Sequence, residues 1–222
     1  MYVDKLNNLL RYIGGLPKSI YVNLKLLPFK EAIKLPIIVS ARTKLSSLEG
    51  NVILSQNKTG IIRIGFGNTQ LVDYTYERSI LHIEGTIHFH GKTKMGRGTR
   101  ITVEKEGFLE IGKGFLISAR STIICCKKIT IGSHSMFAWD CLIMDTDQHH
   151  IYNENNDIIN EDKEIIIGEK VWLGTRCIIL KSSTLPNGSI VAANTLICKK
   201  YQQEKTILAG NPVKVIKENV SW

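Results

Sequence analysis

From Ile111 onward the chain can be cut every six residues, and this period restricts the fold more than any other feature of the sequence. The hexads IGKGFL, ISARST and IICCKK each open on isoleucine. After a two-residue slip come IGSHSM, FAWDCL and IMDTDQ. After a longer gap come IGEKVW, LGTRCI, ILKSST, LPNGSI and VAANTL. The opening residues are Ile111, Ile117, Ile123, Ile131, Phe137, Ile143, Ile167, Leu173, Ile179, Leu185 and Val191, all apolar. The fifth position is usually small, as at Ser121, Ser135, Cys141, Cys177, Ser183, Ser189 and Thr195. A weaker series opens at Ile83, Phe89, Met95 and Ile101, and residues 52–76 read as an irregular first coil.

A helix places apolar residues about every 3.6 positions and a half-buried strand every 2. Six fits a short strand followed by a tight turn. The opening aliphatic points inward, the small fifth residue fits inside near a corner, and glycine in the turn relieves backbone strain. Three hexads make one triangular coil, and stacked coils bury a continuous aliphatic column. The expected fold is therefore an all-β solenoid, a parallel β-helix. A β-sandwich with accidental spacing is the competing reading, and a repeat sustained this long counts against it.

The N-terminal segments LNNLLRYI and FKEAIKLPIIV are amphipathic and are punctuated by Pro17, Pro28 and Pro36. They predict two short helices between Val3 and Lys34 that cap the open end of the solenoid. The alternative is a basic interfacial segment that touches a membrane or a lipid-linked substrate. Residues 1–50 are read as this helical or extended cap, 51–217 as the solenoid with a protruding loop at 148–164, and 218–222 as a tail. The ending GNPVKVIKENV reads as a last coil followed by a short basic helix.

With 43% apolar and 22% charged residues the chain has the composition of a globular protein. The net charge of +9 suggests an anionic partner, or a basic solvated surface, because the lysines are scattered rather than blocked. Five cysteines, no C-x-x-C pair and no signal-peptide pattern argue against a disulfide framework or a structural zinc site. They point to reduced thiols in a cytoplasmic protein. Adjacent Cys125 and Cys126 fall on opposite faces of a strand. No apolar run is long enough to span a membrane.

The stretch VWLGTRCIILKSSTLPNGSIVAANTLICKK, followed by ILAGNPVKVIK, resembles the C-terminal half of the hexapeptide-repeat acyltransferases. The resemblance covers roughly residues 83–217. It implies a left-handed β-helix, acetyl-CoA or another acyl-CoA as donor, and a homotrimer with active sites between subunits. Handedness comes from the resemblance alone, since parallel crossovers are ordinarily right-handed. NLKLLPFKEAIKLPIIV is similar to a subset acting on surface polysaccharides, so the implied activity is O-acetylation of a sugar hydroxyl of such a polymer or its precursor. The implied location is cytoplasmic, with peripheral contact at the inner face of the membrane as a further expectation.

Acyl transfer needs a base for the acceptor's proton, and histidine suits it. Regular patterning stops at residues 148–164, a polar loop of the kind that carries function on a rigid scaffold. The subset's Asp-x-Asp-x-His pattern matches Asp145, Asp147 and His149, followed by Ile151. That register selects His149 as base, with Asp147, held by the coil as a fifth-position residue, as its catalytic neighbour; either Asp145 or Asp147 orients the imidazole or binds acceptor hydroxyls. Asp145, Asp140, Trp139 and His150 are expected at the acceptor; for Asp145 and Asp147 a purely turn-capping role is the alternative. Asp140 stands where the family commonly has Asn. By resemblance Trp172, Gly174, Ala192 and Ala193 flank the pantetheine arm, and Lys199, Lys200 and Lys214 face the nucleotide phosphates.

Three other readings stay open. The first is an N-acetyltransferase of an amino or nucleotide sugar. The second is a γ-carbonic-anhydrase-like metal enzyme drawing on His82, His88, His90 and His134, although no metal site is expected. The third is a non-catalytic binding solenoid. No nucleic-acid-binding module is recognisable.

Overall fold

A computed structural model describes residues 2–67, 72–73 and 76–222, without the side chains of residues 2–11. The hexads wind into a three-sided prism. Its first sheet stacks strands Ile37–Val39, Ile62–Ile64, Thr93–Met95, Phe115–Ile117, Met136–Phe137, Trp172–Leu173, Ile190–Val191 and Ile207–Ala209. The second runs from Lys44–Leu48 to Leu196–Ile197, and the third from Asn51–Leu54 to Thr184–Leu185. Pairing between the regular coils is parallel and in register, so that Ile123 stands between Ile101 and Ile143, and Ile143 beneath Ile179.

The opening residues of all eleven regular hexads are at most 1% exposed and form one column. Truncating one of them, as in Ile123→Ala, costs about 2–5 kcal/mol. The small fifth residues are buried too, and the serines among them tie coil to coil. Ser121 Oγ accepts from Cys141 N at 3.0 Å and donates to Ala138 O at 2.9 Å. Ser135 Oγ accepts from Val171 N at 3.1 Å and donates to Gly168 O at 2.9 Å. Cys125 is buried and Cys126 half-exposed, as alternation requires.

The corner between the first and second sheets repeats one left-handed residue per coil: Arg120 (φ 58°), Asp140 (60°), Arg176 (58°) and Asn194 (59°). Asp and Asn both tolerate this conformation. Asp140 in place of Asn therefore keeps the turn.

Three expectations are corrected. Between Val3 and Lys34 a single long helix, α1 (Tyr2–Leu26), runs through Pro17 before the short α2 (Phe29–Ala32). The proline removes one N–H from the ladder, but burial of the inner face holds the helix. Its residues also close the edge of the first strand. Asn23 Nδ2 donates to Ile37 O at 2.7 Å, Asn23 Oδ1 accepts from Ile37 N at 3.1 Å, and Ser19 Oγ accepts from Val39 N at 3.0 Å. The solenoid also begins at Ile37, not near residue 51, because those first strands already pair with the coil above. Parts of the expected irregular coil at 52–76, namely residues 68–71 and 74–75, lie outside the described residues. Finally, no basic helix follows the last coil. Lys214–Lys217 folds back antiparallel on Ile207–Ala209, an extension that β-branched Val215 and Ile216 favour.

Candidate active site

The loop leaves the corner between the second and third sheets after Leu142–Met144 and rejoins at Ile165–Ile167. Asp145, at its departure, has no exposed surface. Its Oδ1 accepts from Cys126 N at 2.7 Å, and its Oδ2 from Lys127 N at 2.9 Å and Lys128 N at 2.7 Å. A carboxylate with no exposed surface, already engaged by three backbone donors, is out of reach of an acceptor sugar. The expectation that Asp145 binds substrate is therefore corrected: it closes the corner of the preceding coil.

Asp147 is exposed, as is Lys127 at the same position one coil earlier, whereas the small fifth-position residues are buried; the chain is already leaving the coil at Asp147. Its orientation comes from outside its own coil. Lys181 Nζ lies 2.7 Å from Asp147 Oδ2, and Asn160 Nδ2 donates to the same oxygen at 2.9 Å. These two hydrogen bonds, Lys181's first, hold the Asp147 carboxyl below its ordinary value. Asn160 Nδ2 also donates to His149 O at 2.8 Å, and Asn160 Oδ1 accepts from Ile151 N at 2.6 Å. Lys181 Nζ donates to the carbonyls of Asn160 and Glu161. The backbone on either side of His149 is thereby pinned from the far limb of the loop. Its imidazole is exposed and free of hydrogen bonds to the described residues. The His150 ring instead meets Tyr152 edge-on, with centroids 6.2 Å apart. The carboxylate expected to orient the base thus grips the loop, not the imidazole.

A second feature lies on the first sheet and its corner with the second. A mainly apolar groove of about 480 Å³ runs between Trp139 and Trp172. Its floor includes Gly174, Ala192 and Ala193, so four of the residues expected along the donor, and Trp139 from the acceptor group, line one surface. A Cβ at residue 174 would stand 2.7 Å from Ala193 N, so glycine is what lets successive coils approach here. Thr175 Oγ1 donates to Trp139 O at 3.0 Å and fixes that wall.

Asp140 does not face this groove freely. Arg120 Nη2 donates to its Oδ2 at 3.0 Å, and Arg120 Nε faces Oδ1 at 2.9 Å in an ion-pair contact without hydrogen-bond alignment. Lys214 lies on the terminal strand of the groove's own sheet. Lys199 and Lys200 do not: they follow Leu196–Ile197 at the corner between the second and third sheets. Lys199 Nζ sits 5.5 Å from the Tyr201 ring centroid. Lys200 lines a recess of about 500 Å³ with Lys127, Lys128 and Lys163. Within one chain the histidine loop and Lys199–Lys200 therefore share one corner, and the groove occupies another.

Lys181, Asn160 and Arg120 were not singled out from the sequence. Stacking the hexads IMDTDQ and ILKSST places Lys181 directly above Asp145, which was the available signal. Trp222, whose ring centroid lies 5.8 Å from that of Trp172, carried no such pattern.

These coils and this groove define a hexapeptide-repeat solenoid. No model of a known protein family matches the chain. Its sequence is 35% identical over 143 residues to the polysialic acid O-acetyltransferase of Neisseria meningitidis, covering 64% of this chain and 57% of that protein. The chain thus spans less than two thirds of that relative's length. It is 25% identical over 170 residues to the putative lipopolysaccharide biosynthesis O-acetyl transferase WbbJ of Escherichia coli K12, covering 71% and 83%. The crystal structure of the polySia-specific acetyltransferase NeuO superposes with a TM-score of 0.54 at 21% identity, over 83% of this chain and 73% of that one. The chain is similar in sequence to these O-acetyltransferases and has the left-handed β-helix fold.

Proposed function

We propose that this chain is an acetyl-CoA-dependent O-acetyltransferase acting on a sugar hydroxyl of a surface polysaccharide or its precursor. It works as a homotrimer with His149 as general base. The relatives named above support the activity and the acceptor class. The observation that carries the arrangement is the separation of loop and groove onto different corners of the prism. Packing three prisms around a threefold axis sets the loop of one copy against the groove of the next.

In this reading the donor's pantetheine arm lies between Trp139 and Trp172 over Gly174, Ala192 and Ala193. The lysines Lys199, Lys200 and Lys214 take its phosphates. His149 removes the proton from the acceptor hydroxyl as the oxygen attacks the thioester carbon. The tetrahedral oxyanion is met by backbone N–H donors. Collapse expels the thiolate, which takes the proton back from the imidazolium. His150 and Asp140 border the acceptor, and Asp147 holds the loop.

The outer face of α1 supports peripheral membrane contact. Ile13, Leu16, Ile20 and Leu24 are exposed in a stripe continued by Phe29 and Ile33, flanked by Lys25, Lys30 and Lys34. Among the described residues no helix is long and apolar enough to cross a membrane. Co-sedimentation with anionic but not neutral vesicles is expected.

The activity is tested by thiol release from acetyl-CoA with a panel of acidic and neutral oligosaccharides. Release only with amino sugars would replace O- by N-acetylation. Release with none of them would overturn the reading.

A further inference from the structure

On the outer face of the third sheet, far along the chain from the loop, two histidines and a glutamate converge. We propose that His88, His90 and Glu110 form a binding site for a divalent transition-metal ion of the zinc type, stapling successive coils near the capped end of the solenoid.

The geometry follows from the stacking. In Thr86–Phe89 the burial alternates, so Thr86 and His88 face outward, and His90 continues that row two residues on. Parallel register sets Glu110 directly beside His88 on the next strand, and Ile53 beside His88 on the previous one. Ser55, two residues past Ile53, thereby reaches the same point. Adjacent strands are about 4.8 Å apart, which is the spacing at which side chains of neighbouring coils can share one ion.

One ligand atom each from His88, His90 and Glu110 lies within 4.8 Å of the other two. The imidazole centroids are 4.0 Å apart. His90 Nε2 is 2.8 Å from Glu110 Oε1, while His88 Nε2 and His90 Nδ1 lie 2.9 and 3.3 Å from Ser55 Oγ. Neutral imidazole is the form that ligates metal. Two nitrogens and one carboxylate oxygen, with a fourth position open to water or the Ser55 hydroxyl, suit a borderline ion such as Zn²⁺ better than Mg²⁺ or Ca²⁺. A second group, His82, Glu84 and Glu104, offers one nitrogen and two carboxylates and serves as an internal comparison.

The test uses the full chain, stripped with chelator and dialysed at neutral pH. Co²⁺ is titrated and followed by visible absorption, then displaced with Zn²⁺. Expected are one Co²⁺ per chain, the strong d–d bands of low coordination number, and a higher melting temperature with metal. His90→Gln or Glu110→Gln should weaken binding about tenfold or more. His82→Gln and His149→Ala should leave it unchanged. All these side chains are at least partly exposed, and circular dichroism of the metal-free variants checks that they fold. Absence of saturable binding at large excess overturns the proposal. So does binding that survives His90→Gln and is lost in His82→Gln or His149→Ala.

Discussion

Lys181 Nζ lies 2.7 Å from Asp147 Oδ2, joining the coil that follows the loop to the residue where the chain leaves the coil before it. The same ammonium reaches the carbonyls of Asn160 and Glu161, so one side chain closes both limbs of the loop. Lys181→Met should lower turnover while leaving acetyl-CoA affinity nearly unchanged, since Lys181 holds the loop and not the groove. The pair also has a pH signature. The Asp147 pKa is depressed in the folded state. Its contribution is therefore complete above the ordinary carboxylate value and fades as pH falls through the lower folded value. Protection of the loop against proteolysis should be flat around neutrality and fall only in acid, below about pH 4. In Lys181→Met the loss should come at higher pH.

The adjacent histidines are separable by kinetics. His149→Ala should reduce kcat about 10²–10⁴-fold with little effect on donor binding. His150→Ala should act mainly on acceptor KM, because its ring is engaged with Tyr152. Melting temperatures serve as the control, and both side chains are exposed, so neither change should unfold the protein. Full activity in both variants would exclude the loop as the source of the base.

Asp145 predicts the opposite behaviour. Asp145→Asn sets an amide N–H₂ against backbone donors that the carboxylate now satisfies at Lys127 and Lys128. Loss of such charge-assisted bonds costs about 1.5–3 kcal/mol each. A lower melting temperature should accompany any loss of activity, and chemical denaturation would measure it.

The arrangement between copies can be counted. His149→Ala chains and chains with the groove filled by Ala192→Trp should each be inactive. When they are mixed equally by unfolding and refolding, a site built from one copy's loop and the next copy's groove is intact about one time in four. Recovery of about a quarter of wild-type activity supports the intersubunit site. No recovery from a mixed trimer of correct mass contradicts it.

The solenoid was legible because its repeat is a sequence property: Ile123, Ile143 and Ile179 share a hexad position and therefore share the column. The groove residues Trp172, Gly174, Ala192 and Ala193 came from the resemblance, and stacking then brings them onto one surface. What stayed hidden depends on contacts between rungs. The third-position Asp145 and fifth-position Asp147 look alike in the sequence, yet one turns in to cap a corner and the other is held by Lys181 and Asn160. At the ends, periodicity gives way to other forces. Packing against Ile37–Val39 carries α1 through Pro17, and the edge of Ile207–Ala209 draws the last segment into a strand.

The residues before and after the loop keep unbroken pairing with their neighbours: Ile129 beside Ile165, and Met144 beside Leu180. The excursion is therefore an insertion that the scaffold does not feel. Away from the residues that Lys181 holds, its length and composition can change without altering the strand pairing of any coil, while the groove, built from the coils themselves, cannot. On the proposed function, acceptor preference can then change through the loop while the donor groove stays as the coils set it.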